Sequence, residues 1–431
     1  MAWFHKYIFL LGERRRNPSL RAHYHFLKQS ERWPREKLEK FQWQRLMETL
    51  QYAYDHTPYY RRKWDEAGIH PSDIRSPEDL KKIPVITKQE LIRHNQDIHS
   101  DEHFPKKFFS VTSGTTGESL SFWKDENADS WNRAAIFRGY SWYGVRPWDF
   151  NGYFWGFDFS FWKKIKTRMA DWLVNRYRLF TYREKEFEKF VRKIRQAVYL
   201  EGYSSAIYQT AKLINEKGLP KPKQLKMVKG TSEKIYPHYQ EEVRRAFGLK
   251  MIGEYGAAES GLIAYECPHG SLHIVSEGVY VEQEDEKIIV TNLVMRSFPV
   301  VRYELGDYIK LKPKDYRCAC GMAHPVIEEI TGRIGKNVYG KKGVYPSLYF
   351  YYIFKNLEKN HGIKTTYQVV QKEKGRLVFY ITEKLNANQI KALEDEIRKM
   401  FNGDMDFSII VKPDLLEGRK EKFKDFITYM D

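Results

Sequence analysis

The sequence predicts an α/β protein with a large N-terminal part and a small α+β part at its C-terminal end. Three observations carry this. The chain has 431 residues, which favours two or three domains over one ordinary core. From about residue 127 to residue 257, helical periodicity and short apolar runs follow one another, as in strand and helix units. Beyond Gly332 the pattern changes to strand, strand, helix, strand over roughly a hundred residues. Apolar residues make up 42% of the chain and aromatics 16%, enough to bury a sizeable core and to exclude a disordered chain.

In chain order, "MAWFHKYIFLLGERRRNP" holds a short apolar run, Tyr7 to Leu11, before Arg14, Arg15 and Arg16. The run is too short to span a bilayer and lacks a small-residue cleavage site, so a helix packed on the body is expected. Aromatics beside arginines also suit a peripheral membrane contact, which stays open. Residues 36–67 read as helix, with Leu38, Phe41, Trp43, Leu46, Leu50 and Tyr54 as its apolar positions. Ser76 is an N-cap, Pro84 ends the helix that follows it, and another opens near Thr87. Asn127 to Tyr143 is helical. "FNGYFWGFDFSFW" at 150–162 is a buried strand and loop, and 184–201 and 205–217 read as helices. "LKMVKGTSEKI" is strand then turn, "PHYQEEVRRAFG" a helix stopped by Gly248, and "LKMIGEYGAAESG" strand then loop. "VYVEQEDEKIIVTNL" is a hairpin and "VVRYELGDYIKLKP" a further strand pair. The C-terminal strands fall at 365–371, 376–382 and 406–412, around a helix at 387–401.

The net charge is 73 − 56 = +17. Nucleic acid, an anionic membrane or a polyanionic substrate would each suit it, as would a plain solubilising surface. The basic residues are spread along the chain, and no zinc-finger, RNP or helix-turn-helix signature accompanies them, so no nucleic-acid partner is expected.

"VTSGTTGESLSFWKD" places Ser113, Gly114, Thr115, Thr116 and Gly117 between apolar flanks. Glycine lets backbone N–H groups converge on an anion, and the hydroxyls add donors, so the loop can cradle phosphate. The lysine-bearing pattern Gly-x-x-x-x-Gly-Lys-Ser/Thr is absent. Taken alone, a tight polar turn explains the loop as well.

Three further motifs follow in order: "GEYGAAESG" with Tyr255, Gly256 and Glu259; "FPVVRYELGDY" with Arg302, Tyr303, Gly306 and Asp307; and "TGRIGKNV" with Gly332 and Arg333. In this order the four motifs resemble those of the adenylate-forming enzymes. "VTSGTTG", "RYELGDY" and "LHI" are most similar to the phenylacetate–CoA ligase family, and within it to the subgroup linked to capsule and surface-polysaccharide biosynthesis. The resemblance covers about residues 75–431. It implies a large multi-layer N-terminal adenylation domain with mixed sheets, residues 1–331, and a small mobile α+β lid, residues 332–431.

The resemblance also implies roles. Ser113, Gly114, Thr115, Thr116 and Gly117 would hold the β- and γ-phosphates of ATP. Gly230, Thr231 and Ser232 of "KGTSE", with Tyr255 and Gly256, would line the adenine pocket. Glu259 would bind a phosphate-bridging Mg²⁺, and Asp307 would accept from both ribose hydroxyls, which suits a carboxylate with two oxygens. Arg333 would approach the ribose or phosphate. In "LLEGRKEKFKDFI", Lys422 best matches the family's C-terminal catalytic lysine, with Lys420 in reserve. Glu118 stands where relatives often have lysine, leaving Lys124 as a substitute. Lys336 stands at the hinge and Glu421 where glycine is usual. Trp155, Phe157, Phe159, Tyr208 and the Gly256–Ala258 turn are candidates for an acyl pocket, although core packing explains any single aromatic as well.

The only cysteines are Cys267, Cys318 and Cys320, and Cys-Ala-Cys is too close for easy disulfide geometry. With His269 or His273 of "ECPHGSLHIV" they could form a Cys₃His zinc set. The resemblance favours His273, giving Cys267, His273, Cys318 and Cys320 around a structural Zn²⁺. Three ordinary thiols are the alternative.

The function implied is ATP- and Mg²⁺-dependent activation of a carboxylic acid as acyl-AMP, followed by acyl transfer in the cytoplasm. Coenzyme A is the family's usual acceptor, and an amine on a sugar or amino acid is the other. A nucleotide-binding scaffold without turnover is a distinct alternative, kept open by Glu118, Lys336 and Glu421. Homodimerisation is left open too.

Overall fold

The computed structural model describes residues 2–112, 119–155, 161–180, 184–333, 337–416 and 423–430. The chain divides into two compact units, Met1–Pro147 with Glu254–Ile330, and Trp148–Gly253 with Thr331–Asp431.

In the first unit, helices Ala2–Arg16, Leu20–Ser30, Arg35–His56 and Pro58–Glu66 precede a hairpin of Lys107–Val111 and Ser121–Asp125. The helix expected at 36–67 is broken. Thr57 is extended and Pro58 opens the next helix, because a residue preceding proline is pushed out of the α region. Thr87 caps the short helix Lys88–Arg93 through Glu90, as a capping box does. Ser76 and Asp79 form a similar box on Pro77–Lys82, which is a 3₁₀ turn rather than an α-helix. Asp125 accepts from the amide of Ala128 at 2.8 Å and starts helix Glu126–Trp142.

The sheet of this unit runs in the order Val279–Glu284, Lys287–Asn292, Tyr303–Leu311, Val326–Arg333, Leu272–Ile274, Gly261–Glu266 and the end of Met251–Ala257. The strand pair expected within 300–313 is one strand, Tyr303–Leu311. Gly306 adopts φ +84° inside it and the register with Lys287–Asn292 shifts, so the glycine makes a bulge and not a turn.

In the second unit, Arg176–Arg178, Asn151–Phe154, Tyr199–Tyr203, Met227–Thr231 and the start of Met251–Ala257 pair in parallel in that order. Helices Phe161–Leu173, Glu184–Lys193, Ser204–Lys217 and Pro237–Phe247 connect them. The helix expected at 184–201 ends at Lys193, and Tyr199–Tyr203 is a strand. A parallel strand buried on both faces reads as an unbroken apolar run, and periodicity cannot separate it from a buried helix. Gly218 and Gly248 end their helices in the left-handed conformation.

Residues 337–430 add a second sheet, ordered Asp406–Val411, Arg376–Ile381, Tyr367–Glu373 and Phe426–Thr428, with helices Leu348–His361 and Ala387–Phe401. The unit has one continuous core that joins residues such as Leu200, Val228 and Tyr239 with Phe354, Tyr367 and Phe379. His238 Nε2 lies 2.7 Å from Thr366 Oγ1 within it. The segment 332–431 expected as a lid thus shares its compact unit with residues 148–253.

Candidate active site

The turn 256–261 is shaped by glycine. A Cβ on Gly256 would lie 2.4 Å from the carbonyl oxygen of Gly261, and Gly261 itself has φ +74°. Two asparagines hold the turn from outside. Asn132 Oδ1 accepts from the amide of Leu262 at 2.7 Å, and Asn292 Nδ2 donates to the carbonyl of Ser260 at 2.9 Å. Glu259 is thereby buried at the tip of the turn, where the hydroxyl of Tyr303 donates to its Oε1 at 3.1 Å. Four residues along the same strand, past the Gly306 bulge, Asp307 is also buried and accepts from the hydroxyl of Tyr255 at 2.8 Å. Each motif's tyrosine therefore holds the other motif's carboxylate: Tyr255 holds Asp307, and Tyr303 holds Glu259. Arg302, in the same motif as Asp307, does not join them. It is buried at φ +44° and bound to Glu282, Glu284 and the carbonyl of Ile83, which makes it a structural arginine.

The hairpin that carries the Ser-Gly-Thr-Thr-Gly loop is closed at its base. The amide of Thr112 donates to the carbonyl of Leu120 at 2.8 Å, and the amide of Leu120 donates to Thr112 Oγ1 at 2.9 Å. Ser113, Gly114, Thr115, Thr116, Gly117 and Glu118 lie outside the described residues. Lys124, on the returning strand, is only 9% exposed. Burial pulls its ammonium pKa down, and the carboxylates of Asp129 and Glu259 act against that. Lys124 thus shares an electrostatic neighbourhood with Glu259.

In the second unit, Gly230 sits in register with Gly202 on one side and Gly253 on the other, a row without side chains across three parallel strands. A Cβ at Gly230 would meet Ser204 Oγ at 2.5 Å. Thr231 and Ser232 follow, with Ser232 at φ +65°. Glu233 then fixes two segments: its Oε2 accepts from the amide of Ser205 at 2.9 Å and its Oε1 from the amide of Phe423 at 2.9 Å. Lys420, Glu421 and Lys422 lie outside the described residues, as do Lys336, Phe157, Phe159 and the side chain of Arg333, whose backbone ends strand Val326–Arg333. Of the acyl-pocket candidates, Trp155 stacks on Tyr203 at 4.6 Å. Tyr208 stacks on Tyr239 at 4.2 Å within the core, where packing accounts for it.

The donor atoms of Cys267, His273, Cys318 and Cys320 all lie within 4.8 Å of one another in the first unit. Cys267 Sγ and Cys318 Sγ are 3.7 Å apart, and Cys320 Sγ is 3.2 Å from His273 Nε2. The edges of a tetrahedron with Zn–S of about 2.3 Å and Zn–N of about 2.0 Å have nearly these lengths. His273 Nδ1 lies 3.2 Å from the carbonyl of His324, which directs Nε2 inward. Burial drops the His273 pKa to about 4, so the ring is neutral and able to ligate, and burial pushes Cys320 up to about 12. The residues fit a closed structural Zn²⁺ site. Behind them, Arg138 Nη1 and Glu277 Oε1 pair at 2.7 Å with almost no exposure, and His324 Nε2 lies 3.6 Å from the same carboxylate.

No protein-family model matches the chain. Sequence relatives do. The phenylacetate–coenzyme A ligase of Escherichia coli (strain K12) is 36% identical over 107 residues, 22% of this chain and 22% of that enzyme. The chain therefore aligns with only about a fifth of that relative's length. Protein CapK of Staphylococcus aureus is 23% identical over 417 residues, 90% of this chain and 88% of CapK. Among solved structures, 2-hydroxyisobutyryl-CoA ligase in complex with an acyl-AMP matches with a TM-score of 0.71 at 19% identity, over 94% of this chain and 92% of that one. In sequence the chain is similar to phenylacetate–coenzyme A ligase and to CapK, and its mixed α/β architecture is that of 2-hydroxyisobutyryl-CoA ligase.

Of the motif residues, Tyr255 with Asp307 and Tyr303 with Glu259 form two described pairs in the first unit. Gly230, Thr231 and Ser232 lie in the other unit. Sequence reasoning missed the phenol of Tyr303 on Glu259, the asparagine clamps and the carbonyl of His324 behind His273. Only Tyr303 carried a signal, its place in "RYELGDY".

Proposed function

We propose that the protein activates a carboxylic acid with ATP, releasing pyrophosphate, and then passes the acyl group to an acceptor. The observation that carries this reading is the joining of Tyr255 to Asp307 and of Tyr303 to Glu259, two buried carboxylates from separate motifs fixed by phenols.

In this reading the loop Ser113–Gly117 cradles the β- and γ-phosphates, and Tyr255 stacks on adenine. Asp307 takes both ribose hydroxyls, one on each oxygen. Glu259 is a hard oxygen ligand of the kind that holds Mg²⁺ together with substrate phosphates, and the ion would neutralise charge on them. Lys124 adds positive charge on the same side. An oxygen of the substrate carboxylate attacks the α-phosphorus, the bond to the β-phosphate oxygen breaks, and acyl-AMP and pyrophosphate result. Lys422, and Arg333 after closure of a lid formed by 332–431, stabilise the charge that builds at phosphorus. In the second step the thiol of coenzyme A attacks the acyl carbon, loses its proton to solvent and expels AMP. An amine on a sugar is the other acceptor, the one a role in surface-polysaccharide assembly would need. The reaction is placed in the cytoplasm, where ATP and coenzyme A are supplied. Zn²⁺ bound by Cys267, His273, Cys318 and Cys320 has a structural role.

ATP–pyrophosphate exchange over a panel of aryl, fatty and amino acids tests the reading, with acceptors added afterwards. Exchange is expected with at least one acid, and Glu259→Gln and Asp307→Asn are expected to lower it by about 10²–10³-fold. ATP binding without exchange for any acid would replace the enzyme with a nucleotide-binding scaffold.

A further inference from the structure

Helix Phe161–Leu173 in the second unit turns its apolar side outward. Phe161, Trp162, Ile165, Met169, Trp172 and Leu173 are all exposed, Trp162 to 77%. At about 100° per residue, these six positions share about a third of the helix circumference. Polar residues face the protein: Arg168 is half-buried and Asp171 buried, while Lys163 and Lys166 flank the apolar side and are exposed. Asp171 is buried and pairs with Arg178 through two bonds, 2.8 and 3.0 Å long. Arg168 donates to the carbonyl of Arg178 at 3.2 Å and lies over the rings of Tyr177 and Phe180. A surface helix ordinarily buries its apolar stripe and exposes its charges. Here the stripe is the exposed side, and an apolar face this continuous marks a surface that is covered in use.

Charge selects the cover. The same helix carries Lys163, Lys164 and Lys166, and its one acid, Asp171, is tied to Arg178. A second copy would bring its own lysines against these, whereas anionic phospholipid complements them, as it does the chain's charge of +17. We propose that helix Phe161–Leu173 docks the protein on anionic membrane, with Trp162, Ile165, Met169 and Trp172 at the headgroup–acyl boundary and the exposed Lys163 and Lys166 among the phosphates. Helix Ala2–Arg16 of the first unit is a separate instance of the same composition, with Trp3, Tyr7 and Leu11 exposed and Arg14, Arg15 and Arg16 in its last turn. No described helix is long and apolar enough to cross a membrane, so the contact is peripheral. The inference stands independently of the adenylation reading.

The test sediments the full-length protein with vesicles of phosphatidylcholine, alone or mixed with phosphatidylglycerol. Binding is expected to the mixed vesicles only, to weaken with added salt, and to fall by about tenfold or more in Trp162→Ser/Trp172→Ser. Both side chains are exposed, so the variant's urea midpoint and its pyrophosphate exchange without vesicles should match the wild type. Lost lipid binding and lost catalysis are thus read separately. No binding to the mixed vesicles at low salt, or equal binding by the variant, overturns the proposal. Self-association that disappears in the variant also overturns it, by assigning the face to a second copy.

Discussion

In the first unit, the thiols of Cys267, Cys318 and Cys320 and the ring of His273 converge on one point, whereas the carboxylates of Glu259 and Asp307 each meet one tyrosine hydroxyl from a different motif. Both groups are buried and polar, and they differ in how burial is compensated. The soft donors surround a space of the size of a zinc ion, a closed arrangement that suits a permanent occupant. The carboxylates are oriented by neutral phenols and sit one on a turn and one on a strand, an arrangement that suits a hard cation and hydroxyls that come and go. The contrast shows that a buried charged cluster can serve stability or turnover, and that the donor chemistry separates the two.

The largest expected effect attacks the closed cluster. With zinc supplied, Cys318→Ser should bind less metal per chain than the wild type and be less stable by about 4 kcal/mol or more, read from urea unfolding. Pyrophosphate exchange per folded molecule should be retained. Equal stability with and without metal would dissolve the distinction between the two clusters.

Next in size is the pair behind the cysteines. Arg138→Met strands the carboxylate of Glu277 in the interior and should cost about 3–5 kcal/mol at neutral pH. Burial pushes the Glu277 carboxyl up, but Arg138 and His324 outweigh it and hold it at about 2, below its ordinary value of 4.5. The stability from this group is therefore present above about pH 4.5 and lost as pH falls toward 2. In Arg138→Met, burial acts unopposed by the arginine, and the sign reverses. Acidification from about pH 6 to pH 4 should then stabilise the variant relative to its neutral state. Parallel pH profiles for the two proteins would contradict the account.

The smallest effect sharpens the other side. Tyr303→Phe removes the hydroxyl that orients Glu259, worth about 1 kcal/mol. It should weaken the Mg²⁺ dependence of exchange a few-fold and leave zinc content unchanged. An unaltered Mg²⁺ titration would show that the phenol does not orient the carboxylate.

Local chemistry accounts for much of what could be read from sequence. Thr87, Gly248 and the hairpin at 279–292 were legible because caps, helix stops and alternating strands act through near neighbours. The order of the motifs around Ser113, Tyr255, Asp307 and Arg333 was enough to point to the ligases that the chain resembles in sequence and fold. What the sequence could not decide depends on distant partners. Tyr199–Tyr203 is a strand because parallel neighbours bury both its faces, and Gly306 is a bulge because the adjacent strand continues past it. The hydroxyl of Tyr303 finds Glu259 across forty-four positions of chain. The outward apolar face of Phe161–Leu173 is likewise invisible to periodicity, which reports that a helix is two-sided but not which side the protein buries. That choice fell to Arg178, through its ion pair with Asp171.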